Sequence, residues 1–267
     1  MTAVNPEPQM LRYERRSTFV ATLSAGHFLA ALYYFAQRLI FTGRVRMKKI
    51  ALIATCFVLA SCKTQISTDL FTTDLVAATE AEAVTAPLVI GMEAGSEQKC
   101  KETADTVLIA VQSQFDSAEF IGCETVDFTT FARFRVQAEI VAYDGDAPSI
   151  TAPFSIGVRS EGAAYHISYL TNPTGARAIW DALPKEMTEY RTYELKPFLS
   201  AVLNNDLRET VSITTDDVYA DGVPIQGTAT RDLPRRDQVE LSMSDVTNAA
   251  FGTVANASHI VTFTLSN

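Results

Sequence analysis

The sequence predicts an α+β domain, a single antiparallel sheet packed against two or three helices. Apolar residues recur at every second position through much of the chain after Cys123, while residues 97–115 and 196–207 carry them at helical spacing. The order of elements gathers strands and helices into runs instead of alternating them, as an antiparallel α+β domain does. Residues 87–267 are enough chain to bury one core, so they read as one globular domain.

Taken in order, residues 62–86 read as a helix or tether. Leu70, Phe71 and Leu75 stand at helical spacing behind Ser67 or Thr68 as a cap, and an Ala-, Glu- and Thr-rich run follows from Ala77 to Ala86. Pro87 to Glu93 reads as a strand. Glu97 to Phe115 reads as a helix with Ala104, Val107, Leu108, Val111 and Phe115 on one side. Val126 to Ala142 reads as one long strand bent near Thr130, closed by a turn at Tyr143-Asp144-Gly145-Asp146. Ser149–Val158 and Ala163–Leu170 form a hairpin across Ser160-Glu161-Gly162. Two helices are expected next, Gly175–Met187 around Trp180 and Lys196–Leu207 with Pro197 in its first turn. Strands return at Thr210–Tyr219, Val223–Thr230, Val239–Met243 and His259–Leu265, with Asp221-Gly222 turning between the first two.

Ahead of this body lies Met47 to Cys62, MKKIALIATCFVLASC. Lys48 and Lys49 precede an uncharged apolar run from Ile50 to Leu59, and Leu59-Ala60-Ser61-Cys62 ends it with small residues and a cysteine. As a helix the run is about 15 Å long against a hydrocarbon core of roughly 30 Å, so it suits export and not spanning. The segment resembles the signal peptide and lipobox of bacterial lipoproteins. The resemblance implies cleavage before Cys62, acylation of Cys62, and a protein held to the membrane by its acyl chains in the bacterial envelope. Lys63, where a retaining aspartate would mark the inner membrane, implies the outer membrane. Cys62-Lys63-Thr64-Gln65-Ile66 with a downstream Asp-Leu further resembles small lipoproteins of phages and prophages.

Residues 1–46 contain an uncharged apolar stretch, Phe19 to Ala36, long enough to span a membrane. A span there would put Arg12, Arg15 and Arg16 on the outside, against the positive-inside tendency, so Met47 is the expected start and 1–46 an upstream extension. Residues 1–46 carry six arginines against two glutamates and 47–61 add two lysines, which leaves −15 for the body from Cys62 when the whole chain is −9. So acidic a body repels phosphate backbones, which excludes a nucleic-acid partner.

Four cysteines receive three fates. Cys56 lies in the discarded run, Cys62 takes the lipid, and Cys100 and Cys123 are left to pair in an oxidising compartment. His166 and His259 are the only histidines of the body and neither has a cysteine at ligand spacing, so no metal site and no cofactor are expected.

Motifs that could carry chemistry are sparse. Ser96-Glu97-Gln98-Lys99 has the serine-to-lysine spacing of penicillin-binding enzymes but lacks their companion elements. Asp216, Asp217 and Asp221, and likewise Asp144 and Asp146, could approach calcium but read more simply as hairpin solvation. His166 is a base without an identifiable partner. No catalytic set emerges. Trp180, beside Ile179 and Leu183, reads as core or ligand contact, and Phe198 and Val202 as further ligand contacts.

Three functional classes follow. The first is a non-catalytic envelope lipoprotein that binds or shields another envelope protein. The second is a carrier of lipid or another apolar ligand, because the order of elements loosely resembles periplasmic tubular lipid-binding lipoproteins. The third is an envelope hydrolase. A closed apolar cavity beside Lys196–Leu207 would favour the carrier.

Overall fold

The computed structural model describes residues 64–80, 82–126, 128–146, 148–185, 193, 197–252 and 256–265. In chain order these form β1 (Thr64–Phe71), α1 (Thr72–Thr79), β2 (Val84–Ala94), α2 (Glu97–Gln112), β3 (Glu119–Val126), β4 (Thr129–Ala142), β5 (Phe154–Glu161) and β6 (Ala164–Thr171). After α3 (Pro173–Asp181) come β7 (Pro197–Asn204), β8 (Val211–Asp216), β9 (Val218–Ala220), β10 (Val223–Pro224), β11 (Thr228–Leu233), β12 (Gln238–Met243), α4 (Asp245–Ala250) and β13 (Ala257–Leu265). The expected signal segment, the extension before it and Cys62 lie outside the described residues.

The chain is mostly β, which corrects the α+β expectation. All thirteen strands belong to one sheet, ordered β10-β9-β12-β7-β1-β2-β4-β5-β6-β13-β8-β11, with β3 beside β4. The sheet is not purely antiparallel either, because β1 pairs with β7 in parallel and β4 with β5 in parallel. Two misread segments account for most of the difference. Within the expected helix, residues 197–204 are strand β7 instead: Leu199, Ala201 and Leu203 are buried while Phe198, Ser200 and Val202 alternate to the other face. An apolar residue on each face satisfies the helical period as well as the strand period, and only the neighbours decide. Residues 64–71 are likewise a strand, with Ile66, Thr68 and Leu70 buried, and only the part after Phe71 is helical. Of the long strand expected over Val126–Ala142, residues 129–142 are β4, and the bend expected near Thr130 is the turn from β3 into β4, which holds Phe128 at φ 66°.

The sheet forks at β4. One edge of β4 follows β2 from Val84↔Ile140 to Ala94↔Thr130, whereas its other edge is shared. Residues 129–135 of that edge take β3 and residues 140–142 take β5. A three-pair parallel junction therefore joins the two arms of the sheet. The sheet curls so far that β6 and β7, five positions apart in the order, meet across the interior. Tyr169 of β6 is fully buried and its hydroxyl donates to the Ser200 carbonyl of β7. Ile66, Leu88, Phe134, Val136, Ile156, Leu199, Leu241 and Phe263 fill the space between. Leu75 of α1 and Val107 and Val111 of α2 join the same core, so helices line the interior face.

One hydrogen-bonded joint closes this arrangement. Phe71 at the start of α1 offers no side-chain cap. Asp206, from the loop after β7, supplies it by accepting 2.9 Å bonds from the Thr72 hydroxyl and the Thr73 amide and a further one from the Thr73 hydroxyl. Partial burial pushes the Asp206 carboxyl up, but the bonds from Thr73 and Thr72 outweigh it and hold the group below the usual carboxylate range. A depressed folded pKa gives stability that is complete above the unfolded value and lost as pH falls through the folded one. Asp206→Asn is expected to cost about 1 kcal/mol at neutral pH, a cap-sized effect discounted for exposure. In urea titrations the gap from the parent should close under acid. A gap that widens there would contradict the assignment. Asp74, whose carboxyl is raised by burial and by the Asp206 charge, works in the opposite direction.

Candidate functional site

Five strands, β12-β7-β1-β2-β4, leave one face uncovered, and that face holds a cleft of about 750 Å³ open to solvent. The register places its residues in rows. The central row runs Ser242, Ser200, Ser67, Val89, Arg135 across the five strands. A parallel row runs Glu240, Val202, Asp69, so that two carboxylates flank Val202. The third runs Phe198, Gln65, Gly91, Arg133. A Cβ at Gly91 would sit 3.2 Å from the Gln65 Cβ and 3.6 Å from the Phe131 ring, so the glycine keeps this end of the floor low.

The cleft is amphipathic across its width. Phe198 and Val202 stand two residues either side of Ser200, about 7 Å each way along the strand. Val126 and Phe131 add apolar surface at the end where β3 turns into β4. Arg133 pairs with Glu124, and Arg135 with Glu119 at 2.7 Å, so both guanidiniums are held along one side while Asp69 and Glu240 hold the other. The floor is braced from behind by the Tyr169 hydroxyl on the Ser200 carbonyl. Toward the start of β7, pairing to β12 stops at Ser200, and buried Asn248 of α4 takes over. Its Oδ1 accepts from the Leu199 amide at 3.1 Å and its Nδ2 donates to the Met243 carbonyl at 3.2 Å.

Of the candidate ligand contacts, Phe198 and Val202 line this cleft and Trp180 does not. Trp180 sits half-buried on α3 with its ring 5.8 Å from that of Tyr193, over which Arg177 stacks at 4.9 Å. Cys100 and Cys123 are joined in a disulfide that clamps the first turn of α2 to β3. Ser96 caps α2 by accepting from the Lys99 amide at 3.1 Å, which accounts for the serine-to-lysine spacing structurally. Asp217 accepts from the Gly227 amide at 2.8 Å. Asp221 binds the Glu240 amide at 3.0 Å and Arg231 at 2.7 Å, and these partners hold its carboxyl below the usual range. Asp144 and Asp146 are exposed in their turn.

His166 lies away from the cleft, on β6. Its Nδ1 is 2.9 Å from the Thr262 hydroxyl, and its Nε2 is 3.6 Å from the Glu161 carboxylate, beyond hydrogen-bond reach. Thr262 also approaches His259 at 3.4 Å, and burial, then the His166 charge, push the His259 imidazole down.

The residues missed from sequence are Gln65, Ser67, Asp69, Arg133, Arg135, Ser200, Glu240 and Ser242. A signal for the serines exists: Ser67, Ser200 and Ser242 each stand between buried residues in a strand, so each must point away from the core. Their assembly into one row depends on pairing β1 with β7, whose partners lie more than 130 residues apart, and no local pattern encodes it.

Residues 64–267 match the model of a protein family described as a domain of unknown function, DUF7424. No curated protein and no solved structure matches the chain.

Proposed function

The chain belongs to the DUF7424 family, and since that membership carries no activity, we propose its role from the site: a non-catalytic lipoprotein, tethered in the bacterial envelope through Cys62, that binds another envelope protein in the cleft of its open sheet face. One observation carries the binding role. The cleft floor is a row of short hydroxyls with apolar shoulders, Phe198 and Val202, and charges of both signs at its sides. Such a surface suits a peptide segment, which brings its own backbone donors and acceptors together with side chains. Two observations weigh against the carrier reading. The expected helix at 196–207 is strand β7, and the cavity beside it is open and part polar, not closed and apolar. A hydrolase reading finds no histidine among the residues that line the cleft.

A photo-crosslinking amino acid at Val202, in the full chain expressed in its native envelope, tests this. The expected result is one recurrent protein adduct that disappears when Ser200→Trp fills the cleft and that does not form from Ile109, exposed on α2. Equal labelling from both positions, or labelling that survives Ser200→Trp, would overturn the cleft as a protein-binding site. Recovery of lipid alone from Val202 would overturn the protein-binding reading in favour of the carrier.

A further inference from the structure

Strand β1 begins at Thr64, two positions after Cys62, and it begins in the middle of the sheet, between β2 and β7. Resting on the reading of Cys62 as the acylated residue, the consequence is geometric. Two residue steps reach at most about 7 Å, so the end of the sheet at which β1 starts has to lie against the bilayer.

Exposed apolar side chains gather at that same end. Thr64 is level with Pro197 on β7 and, through Met92, with Ala132 on β4. Phe128 precedes Ala132 by four residues, so the turn of the β3–β4 hairpin projects about 13 Å past Thr64. The Phe128 side chain is 105% exposed, and Val126 beside it 39%. On the other side, β12 runs toward the same end, stops one residue past Ser242 and passes into α4, where Val246 is 81% exposed. Phe198, next to Gln65, is 44% exposed. The two most exposed large apolar side chains among the described residues thus flank the point where the chain leaves for Cys62. Ile109 and Val223 are also exposed but less so, at 69% and 63%, and apolar side chains collected at one end mark a contact surface.

We propose that this end of the sheet is a membrane-contact face, with Phe128 and Val246 inserted at the headgroup boundary as second and third points of attachment beside the acyl chains. The bilayer is the occupant because the chain's own anchor places it there. Three points fix an orientation, whereas acyl chains at one residue only limit distance. The body at −15 gains nothing from anionic headgroups, so the contact is apolar in origin. The cleft, whose lower lining includes Val126 and Phe198, then opens just above the headgroups.

The test uses the full chain, processed and purified from a bacterial envelope, in vesicles containing brominated phosphatidylcholine. Phe128→Trp is compared with Phe71→Trp at the far end of β1, with the native Trp180 contributing equally to both. Brominated lipid is expected to quench the indole introduced by Phe128→Trp at least about threefold more than the one introduced by Phe71→Trp, with a blue shift in the first variant alone. Intact mass of the same samples reports the acyl groups, absent from Cys62→Ala. Acylated protein with equal quenching in both variants overturns the contact face and leaves the anchor standing. Protein without acyl mass overturns the anchor, and the contact face with it.

Discussion

Replacing Cys100 and Cys123 together by alanine is expected to lower the free energy of unfolding by about 3 kcal/mol, the loop-entropy value for a closed loop of this size. The bonded residues are 23 apart with Cα atoms 6.2 Å from one another. More than chain entropy is at stake, because among the described residues β3 has only β4 as a strand neighbour, and α2 packs against it as well. Cys100 is fully buried in the first turn of α2, and Cys123 stands opposite Ala132. Without the bond, β3 is held by one ladder with an irregularity between Phe120 and Gly122. Hydrogen exchange should therefore rise first at residues 119–126, and urea titration should show the full loss. Reductant should reproduce the loss in the parent protein and leave the double variant unchanged. A loss below about 1 kcal/mol would mean that α2 holds β3 by packing alone.

Tyr169→Ala is expected to be the most damaging single change, at about 3–5 kcal/mol, because it empties a fully buried ring site. The ring stacks edge-on against Phe251 at 6.4 Å, and its hydroxyl ties β6 to β7 across the curl. Tyr169→Phe separates the two contributions. It keeps the ring and should cost only about 1–2 kcal/mol for the lost bond. Burial, then the Asp69 charge, push the Tyr169 phenol well above its ordinary value. A raised folded pKa means that its contribution is complete below the unfolded value of about 10 and declines as pH rises past it. The alkaline limb of the stability curve should accordingly be shallower in Tyr169→Phe than in the parent. Thermal or urea unfolding of both variants across pH decides the matter. Equal losses for Ala and Phe would place the whole effect in the hydroxyl.

Elements with one wet face were legible in the sequence. The helix α2 behind Ser96 and the strands β8 and β12 show a clean period, because one side meets water and one the core. The hairpin β5–β6, buried on both faces over Phe154–Val158 and Ile167–Thr171, was legible from its turn at Gly162 instead. What failed was the middle of the sheet. β7 carries Leu199, Ala201 and Leu203 inward and Phe198 and Val202 toward the cleft, and an apolar residue on both faces erases the alternation that marks a strand. In β1, Ser67 and Thr68 resemble a helix cap because the same short hydroxyl side chains suit a cap and a strand. The β3–β4 turn was hidden by Phe128, which adopts a left-handed conformation that sequence reserves for glycine or asparagine. The site shares this fate. Phe198 and Val202 were found for their apolar character, whereas the serine row and the flanking charges depend on pairings between distant strands.

The central position of β1 also sets how the domain would bear load. If the chain is pulled through a tether at Cys62, the force runs along β1 itself. That strand is paired over eight residues with β7 and five with β2, on both of its edges. Pulled lengthwise, the two ladders must slide and break together instead of opening one bond at a time from an end. An edge strand or a trailing linker in the same place would peel. A tether at Cys62 would thus pull on a strand held along both edges, and drag on a partner bound in the cleft would be borne in shear.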